Sequence, residues 1–166
     1  MSESNRKTFQ PGTARSVLAL AGWLALTFAA ASLGALFLPG EWYAGLKKPS
    51  WNPPNWIFGP VWTALYAMMA VAAWLVWKRG GFASQRPALS LCLLQLLFNA
   101  LWSPLCFGAK NLGLGLADIV LLWLALLATV VGFWKARPLS GLLLVPYLAW
   151  VTFASALNFT LWQLNR

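Results

Sequence analysis

The chain has no histidine and only three acidic residues, Glu3, Glu41 and Asp118, among 166 positions. Without imidazoles or paired carboxylates, most hydrolytic machinery and most metal sites are excluded. Charge of either sign is scarce, at 9% of residues. A soluble domain of this length needs far more charge to cover its surface. Cysteine is nearly absent as well. Cys92 and Cys106 stand in one apolar segment, about 21 Å apart if that segment is a helix. That is beyond disulfide reach, and both read as buried small hydrophobes. No G-x-G-x-x-G, P-loop or internal repeat occurs.

What is present is apolar and comes in long runs. Hydrophobic residues make up 60% of the chain, and no charge falls within 16–40, 49–77, 87–109 or 138–165. The stretch 111–134 holds only Asp118. About 20 such residues cross a bilayer as a helix. The runs do not alternate apolar with polar, so they do not read as barrel strands. Five helices are predicted, at about 17–38, 56–77, 88–108, 112–134 and 140–162. The fold class is therefore an all-α membrane protein, a five-transmembrane-helix bundle with a structured Pro/Trp-rich loop between its first two helices. Residues 1–15 read as a basic tail, and 16–166 as one domain. The first apolar run exceeds the 7–15-residue core of a secretory signal.

The net charge of +9 does not mark a nucleic-acid partner, because the cations sit at helix ends rather than in a basic domain. Arg6, Lys7, Arg15, Lys78, Arg79, Arg86, Lys135 and Arg137 fall on one side of the bundle, and Lys47, Lys48, Lys110 and Arg166 on the other. This bias places the N-terminus in the cytoplasm and the C-terminus outside, if the host is a bacterial cell membrane. The short links after the second, third and fourth helices favour antiparallel neighbours. The glycines of GLGLAD (113–118) fit close helix packing.

Three predicted helices carry stripes that mix aromatic and neutral polar groups. Trp62 and Tyr66 share one face of the second helix. Gln95, Asn99, Trp102 and Cys106 form a stripe on the third, and Tyr147, Trp150, Ala154 and Asn158 one on the fifth. Gln95, Asn99 and Asn158 should face the interior, because lipid does not satisfy an amide. Such residues also glue helices together, and tryptophans near helix ends also form interfacial belts. Spacing alone leaves both roles open for Trp62, Trp102 and Trp150. Asp118 is explained at this level by the positive dipole at the start of the fourth helix. Ala100, Pro104 and Gly108 allow a close helix contact, either within one bundle or in a homodimer.

One segment is more specific. WYAGLKKPSWNPPNWIFGPVWTALY, from Trp42 to Tyr66, closely resembles the signature of the TspO/MBR family, the tryptophan-rich sensory proteins and the mitochondrial translocator protein. The resemblance continues in QLLFNALWSPLCFG (95–108) and VPYLAWVTFASALNF (145–159). It implies a five-helix membrane bundle, often dimeric, with a ligand cavity under the first loop. It further implies binding of porphyrins such as protoporphyrin IX, of haem and of other flat apolar ligands, with no cofactor required for function. The prolines of the loop would keep it stiff, and a preordered lid costs less to close.

Carried over by position, the ligand-contact residues fall on Tyr43, Trp62, Tyr66, Asn99, Trp102, Ser103, Trp150 and Ala154. Trp51 would either cap the ligand or anchor the loop at the membrane surface. Animal members also bind cholesterol. Here Phe159, Thr160 and Gln163 replace the tyrosine and arginine linked to that property, which puts sterol recognition in doubt. With no histidine, a porphyrin stacked between rings is a simpler expectation than iron ligation by Cys106 or a tyrosine. Three activities follow from the resemblance: a porphyrin receptor or sensor with a role in tetrapyrrole metabolism or stress, a light- and oxygen-dependent degrader of protoporphyrin IX, or a porphyrin or lipid transporter.

Overall fold

A computed structural model describes residues 11–166. Most of the predicted basic tail lies outside them. Five long helices dominate the described residues, which contain no strand. They are α1 (Thr13–Ala35), α3 (Phe58–Trp77), α5 (Arg86–Ser103), α6 (Leu112–Ala136) and α7 (Pro138–Leu164). Two single turns, α2 (Glu41–Ala44) and α4 (Gly81–Ser84), lie between them. A 3-10 turn, Asn55–Ile57, leads into α3, and a π-helical turn, Pro104–Gly108, extends α5. Each of the five spans is long and apolar enough to cross a membrane. The protein is an integral, multi-pass helical bundle. α1 begins four residues before its predicted start, because nothing in TARS opposes a helix there.

The helices close into a ring. α1 packs on α3, α3 on α7, α7 on α6, α6 on α5, and α5 back on α1. Short links do join neighbours at α5–α6 and α6–α7. The link from α3 to α5 departs from that expectation: α1 stands between them, and their direct contact is sparse. α4 bridges the gap, entered through Gly81 at φ 72°, a conformation that suits glycine.

α1 is the outermost element, with only Trp23 and Thr27 buried. Its N-terminal end is fastened to α3, where the Trp74 indole donates to the Ser16 carbonyl at 2.9 Å. Lys78 stacks over the Trp74 ring, 4.6 Å from its centroid.

In lipid, helices gain little from hydrophobic burial and associate by packing and hydrogen bonding. The end of the bundle that holds the α6–α7 turn follows this rule closely. Met69, Leu89, Leu126, Phe133 and Leu144 are fully buried there. Small residues bring the backbones together. A Cβ on Gly132 would sit 3.6 Å from the Ala88 Cβ, and one on Gly141 only 2.9 Å from the Trp134 Cα. Gly115, in the glycine cluster, packs in the same way against Cys106, with 2.8 Å to its Cβ. Gly108 packs on Phe37 of the same chain and Ala100 is buried. Cys92 and Cys106 are buried and unpaired.

Candidate functional site

At the opposite end the ring does not close on itself. It surrounds a cavity of about 570 Å³. α3 contributes Gly59, Trp62, Thr63 and Tyr66, a stripe at helical spacing. α5 and its π-helical turn contribute Asn99, Trp102, Ser103, Cys106 and Phe107. Pro104 cannot donate to the α-helical ladder, and the π turn that follows it is a known way of relaxing such a break. α7 contributes Trp150, Ala154, Asn158 and Leu161; α1 supplies a wall of Phe28, Ala31, Gly34 and Ala35. Tyr43 on α2 and the Leu38–Pro39 segment close the top. No lining residue carries a charged side chain among the described residues.

The rings meet mostly edge to face. Phe58 stands against Trp150 at 5.8 Å and 71°, Trp102 against Phe107 at 5.2 Å and 80°, and Tyr43 against Phe107 at 5.3 Å and 77°. Trp62 leans on Tyr66 at 5.6 Å and meets Tyr147 at 5.9 Å. Such arrangements suit the ring quadrupoles.

The floor is a polar network across α3, α5 and α7. The Tyr66 hydroxyl donates to Asn99 Oδ1. Asn99 Nδ2 donates to the Tyr147 hydroxyl at 2.8 Å, and that hydroxyl donates to Gln95 Oε1 at 3.1 Å. Gln95 Nε2 completes the chain at the Cys92 carbonyl, 3.0 Å away. Gln95, Asn99 and Asn158 face the interior, as their neutral polar character predicts. Three buried polar atoms on lining residues have no protein partner: Trp102 Nε1, Trp150 Nε1 and Asn158 Oδ1.

Of the nine residues singled out from the sequence, eight line this cavity: Tyr43, Trp62, Tyr66, Asn99, Trp102, Ser103, Trp150 and Ala154. Trp51 does not. Its half-exposed ring stands edge-on to Phe153 at 5.8 Å, and Phe153 in turn leans on Trp150 at 5.5 Å. It anchors the loop from behind the cavity wall. The α1 wall was missed. Its signal was available, since Ala31, Ala35 and Leu38 fall at helical spacing, but small residues carry no chemistry to draw attention. Phe107 was missed because at α-helical spacing it falls off the Asn99–Trp102–Cys106 stripe; it joins the lining within the π turn.

Asp118 also departs from expectation. The N-terminus of α6 is capped by Asn111, whose Oδ1 accepts from the Gly113 and Leu114 amides at 3.0 Å each. Asp118 lies two turns further in, beyond the range of the dipole. It is buried with Oδ2 unpaired, and it is not part of the cavity lining.

The lid is a built object. Lys48 Nζ donates to the carbonyls of Tyr43, Ala44 and Leu46 at 2.7, 2.9 and 3.2 Å and lies over the Tyr43 ring. Trp42, Tyr43 and Leu46 pack beneath it on a cluster that includes Cys106, Leu157 and Leu161.

The sequence profile of the TspO/MBR family matches residues 18–163. Among curated proteins, the chain is 46% identical over 140 residues to Protein CrtK of Rhodobacter capsulatus, covering 82% of this chain and 86% of the relative. It is 45% identical over 139 residues to the human Translocator protein, with 81% and 82% covered. The Tryptophan-rich sensory protein of Cereibacter sphaeroides is 43% identical over 143 residues, with 86% and 89% covered. A profile match across nearly all of the described bundle, with relatives this similar over most of their length, shows that the chain belongs to the TspO/MBR family.

Proposed function

We propose that this protein is a membrane receptor or sensor that binds porphyrins, such as protoporphyrin IX or haem, and related flat apolar molecules under its first loop. The observation that carries the reading is the cavity itself: about 570 Å³, within the range of small-molecule sites, neutral, and walled by Trp62, Trp102 and Trp150 from three different helices. Each ring stacked on a planar ligand contributes about 0.5–1.5 kcal/mol beyond burial. Asn99 is held by Tyr66 and Tyr147 but keeps one amide hydrogen unassigned, which suits a directed bond to a ligand. The sensory role draws on the names of the relatives. With the N-terminus cytoplasmic, as the charge bias favours, the lid faces outward.

The test is a dark titration of detergent-solubilised protein with protoporphyrin IX, followed by tryptophan quenching. Saturable binding is expected. Trp62→Ala and Trp150→Ala should each weaken it by about tenfold, the equivalent of 1.4 kcal/mol. Wild-type affinity in both variants places the site elsewhere.

A second reading, light-driven oxidation of the bound porphyrin with dioxygen as the oxidant, draws on the run of oxidisable rings Trp62, Tyr66 and Tyr147 beside the cavity. Illuminating the complex decides it. Spectral loss in the wild type but not in the Trp62→Phe/Trp150→Phe double variant favours degradation, and an unchanged spectrum favours a receptor.

A further inference from the structure

Beside the packing of Trp42, Tyr43 and Leu46, one side chain ties the lid to α7 by hydrogen bonds. Asn165, just past the end of α7, holds both backbone polar groups of Lys47. The Lys47 amide donates to Asn165 Oδ1 at 2.9 Å, and Asn165 Nδ2 donates back to the Lys47 carbonyl at 2.9 Å. The second Nδ2 hydrogen goes to the Leu161 carbonyl at 2.8 Å. A primary amide has two donor hydrogens and an acceptor oxygen, and all three functions are used here. Aspartate keeps only the acceptor and sets an anion against two carbonyl oxygens. Alanine keeps nothing.

The two ends of this tie lead to the site. Leu161 lines the cavity on α7. Lys47 precedes Lys48, whose ammonium gathers the carbonyls of Tyr43, Ala44 and Leu46 into one knot. Tyr43 lines the cavity from that knot. Lys47 itself is exposed, so its hydrogen bonds are reached by water and can break without unpacking a core.

We propose that Asn165 is a positioning residue, a latch that holds the lid shut on α7, and that its release admits and frees the ligand. The kinetic part rests on the porphyrin-binding reading; the latch does not. A latch differs from a contact residue in what it changes. It stabilises the closed lid in the empty and the occupied protein alike, so its loss speeds association and dissociation together and leaves the equilibrium affinity nearly unchanged.

Two measurements on the full-length protein in detergent decide the proposal. The first needs no ligand: hydrogen exchange at the Lys47 amide in the wild type, Asn165→Ala and Asn165→Asp. About tenfold faster exchange is expected in both variants, with amides in the middle of α7 unchanged, which shows that the bundle remains folded. Wild-type exchange at Lys47 in both variants overturns the latch. The second is stopped-flow binding and release of protoporphyrin IX. Both rates should rise about tenfold in Asn165→Ala, with the affinity held within about twofold. Faster amide exchange with unchanged ligand rates overturns the gating role, because the ligand then passes elsewhere. A wild type that binds no protoporphyrin IX overturns the receptor reading instead, and the latch is still decided by the first measurement.

Discussion

The two ends of the bundle are built from the same helices and much the same palette, yet one is solid and the other hollow. Around Met69, Leu89, Phe133 and Leu144, aliphatic chains and one buried ring interdigitate, and Gly132 and Gly141 let the backbones close in. Around Trp62, Trp102 and Trp150, flat rings stand edge-on to their neighbours and cannot fill the space between them. Pro104 and the π turn it introduces reshape α5 at this end. The Gln95–Asn99–Tyr147–Tyr66 network lies on the boundary. The two sides of it differ in side-chain shape and backbone regularity.

The comparison breaks most visibly through truncation. Phe133→Ala, at a fully buried position of the solid end, should cost about 3–5 kcal/mol. Trp150→Ala removes a larger side chain from the wall of an existing cavity and should cost much less stability while weakening ligand binding. Unfolding midpoints of the two variants in detergent provide the check. Equal losses would mean that the hollow end is packed as tightly as the solid one.

A finer probe adds a methyl group instead of removing one. Gly141→Ala places a Cβ against the Trp134 backbone, and overpacking of that kind should cost about 1–3 kcal/mol. Gly59, on the cavity side, has nothing within 4 Å of its would-be Cβ. Gly59→Ala should instead be close to neutral, because the propensity gain is small in the first turn and is offset by the Pro60 ring that follows. A destabilised Gly59→Ala would show that the cavity mouth is narrower than its geometry indicates.

Much of this was legible because lipid imposes simple rules. Charge-free runs gave five spans, since a chain in a bilayer satisfies its backbone by forming helices. Three inward stripes gave most of the cavity, since neutral amides and aromatic faces have few other places to go. The missing parts share a cause. Trp51 reads like Trp62 in a list of tryptophans, but it sits on a loop whose path depends on tertiary contacts. Apart from Phe28, the α1 wall is made of alanine and glycine, whose only property is to be small. Asp118 near a helix start looks like a dipole partner until Asn111 is seen to fill that role. The α3–α5 separation depends on where α1 docks, which no local pattern encodes. The Asn165 latch links residues 118 positions apart and has no periodicity to betray it.

The smallest expected effect concerns the lid rather than either end of the bundle, and it asks whether the lid belongs to the closed architecture. Burial pushes the Tyr43 phenol above its ordinary value of 10.0, with the nearby Cys106 thiol acting in the same direction. In the open lid the phenol returns to about 10. Below that pH it is protonated in both states, and the closed lid keeps its full stability. As pH rises past it, the open state ionises first and gains population, by at most about tenfold per pH unit while a single proton separates the states. The tyrosinate difference spectrum between wild type and Tyr43→Phe isolates this group from Tyr66 and Tyr147. Its midpoint should lie above 10.0 in the wild type and move back towards it in Asn165→Ala, where the lid is released. A wild-type midpoint at or below 10.0 would mean that Tyr43 is solvated and that the loop does not close over the cavity, leaving it open to the membrane surface.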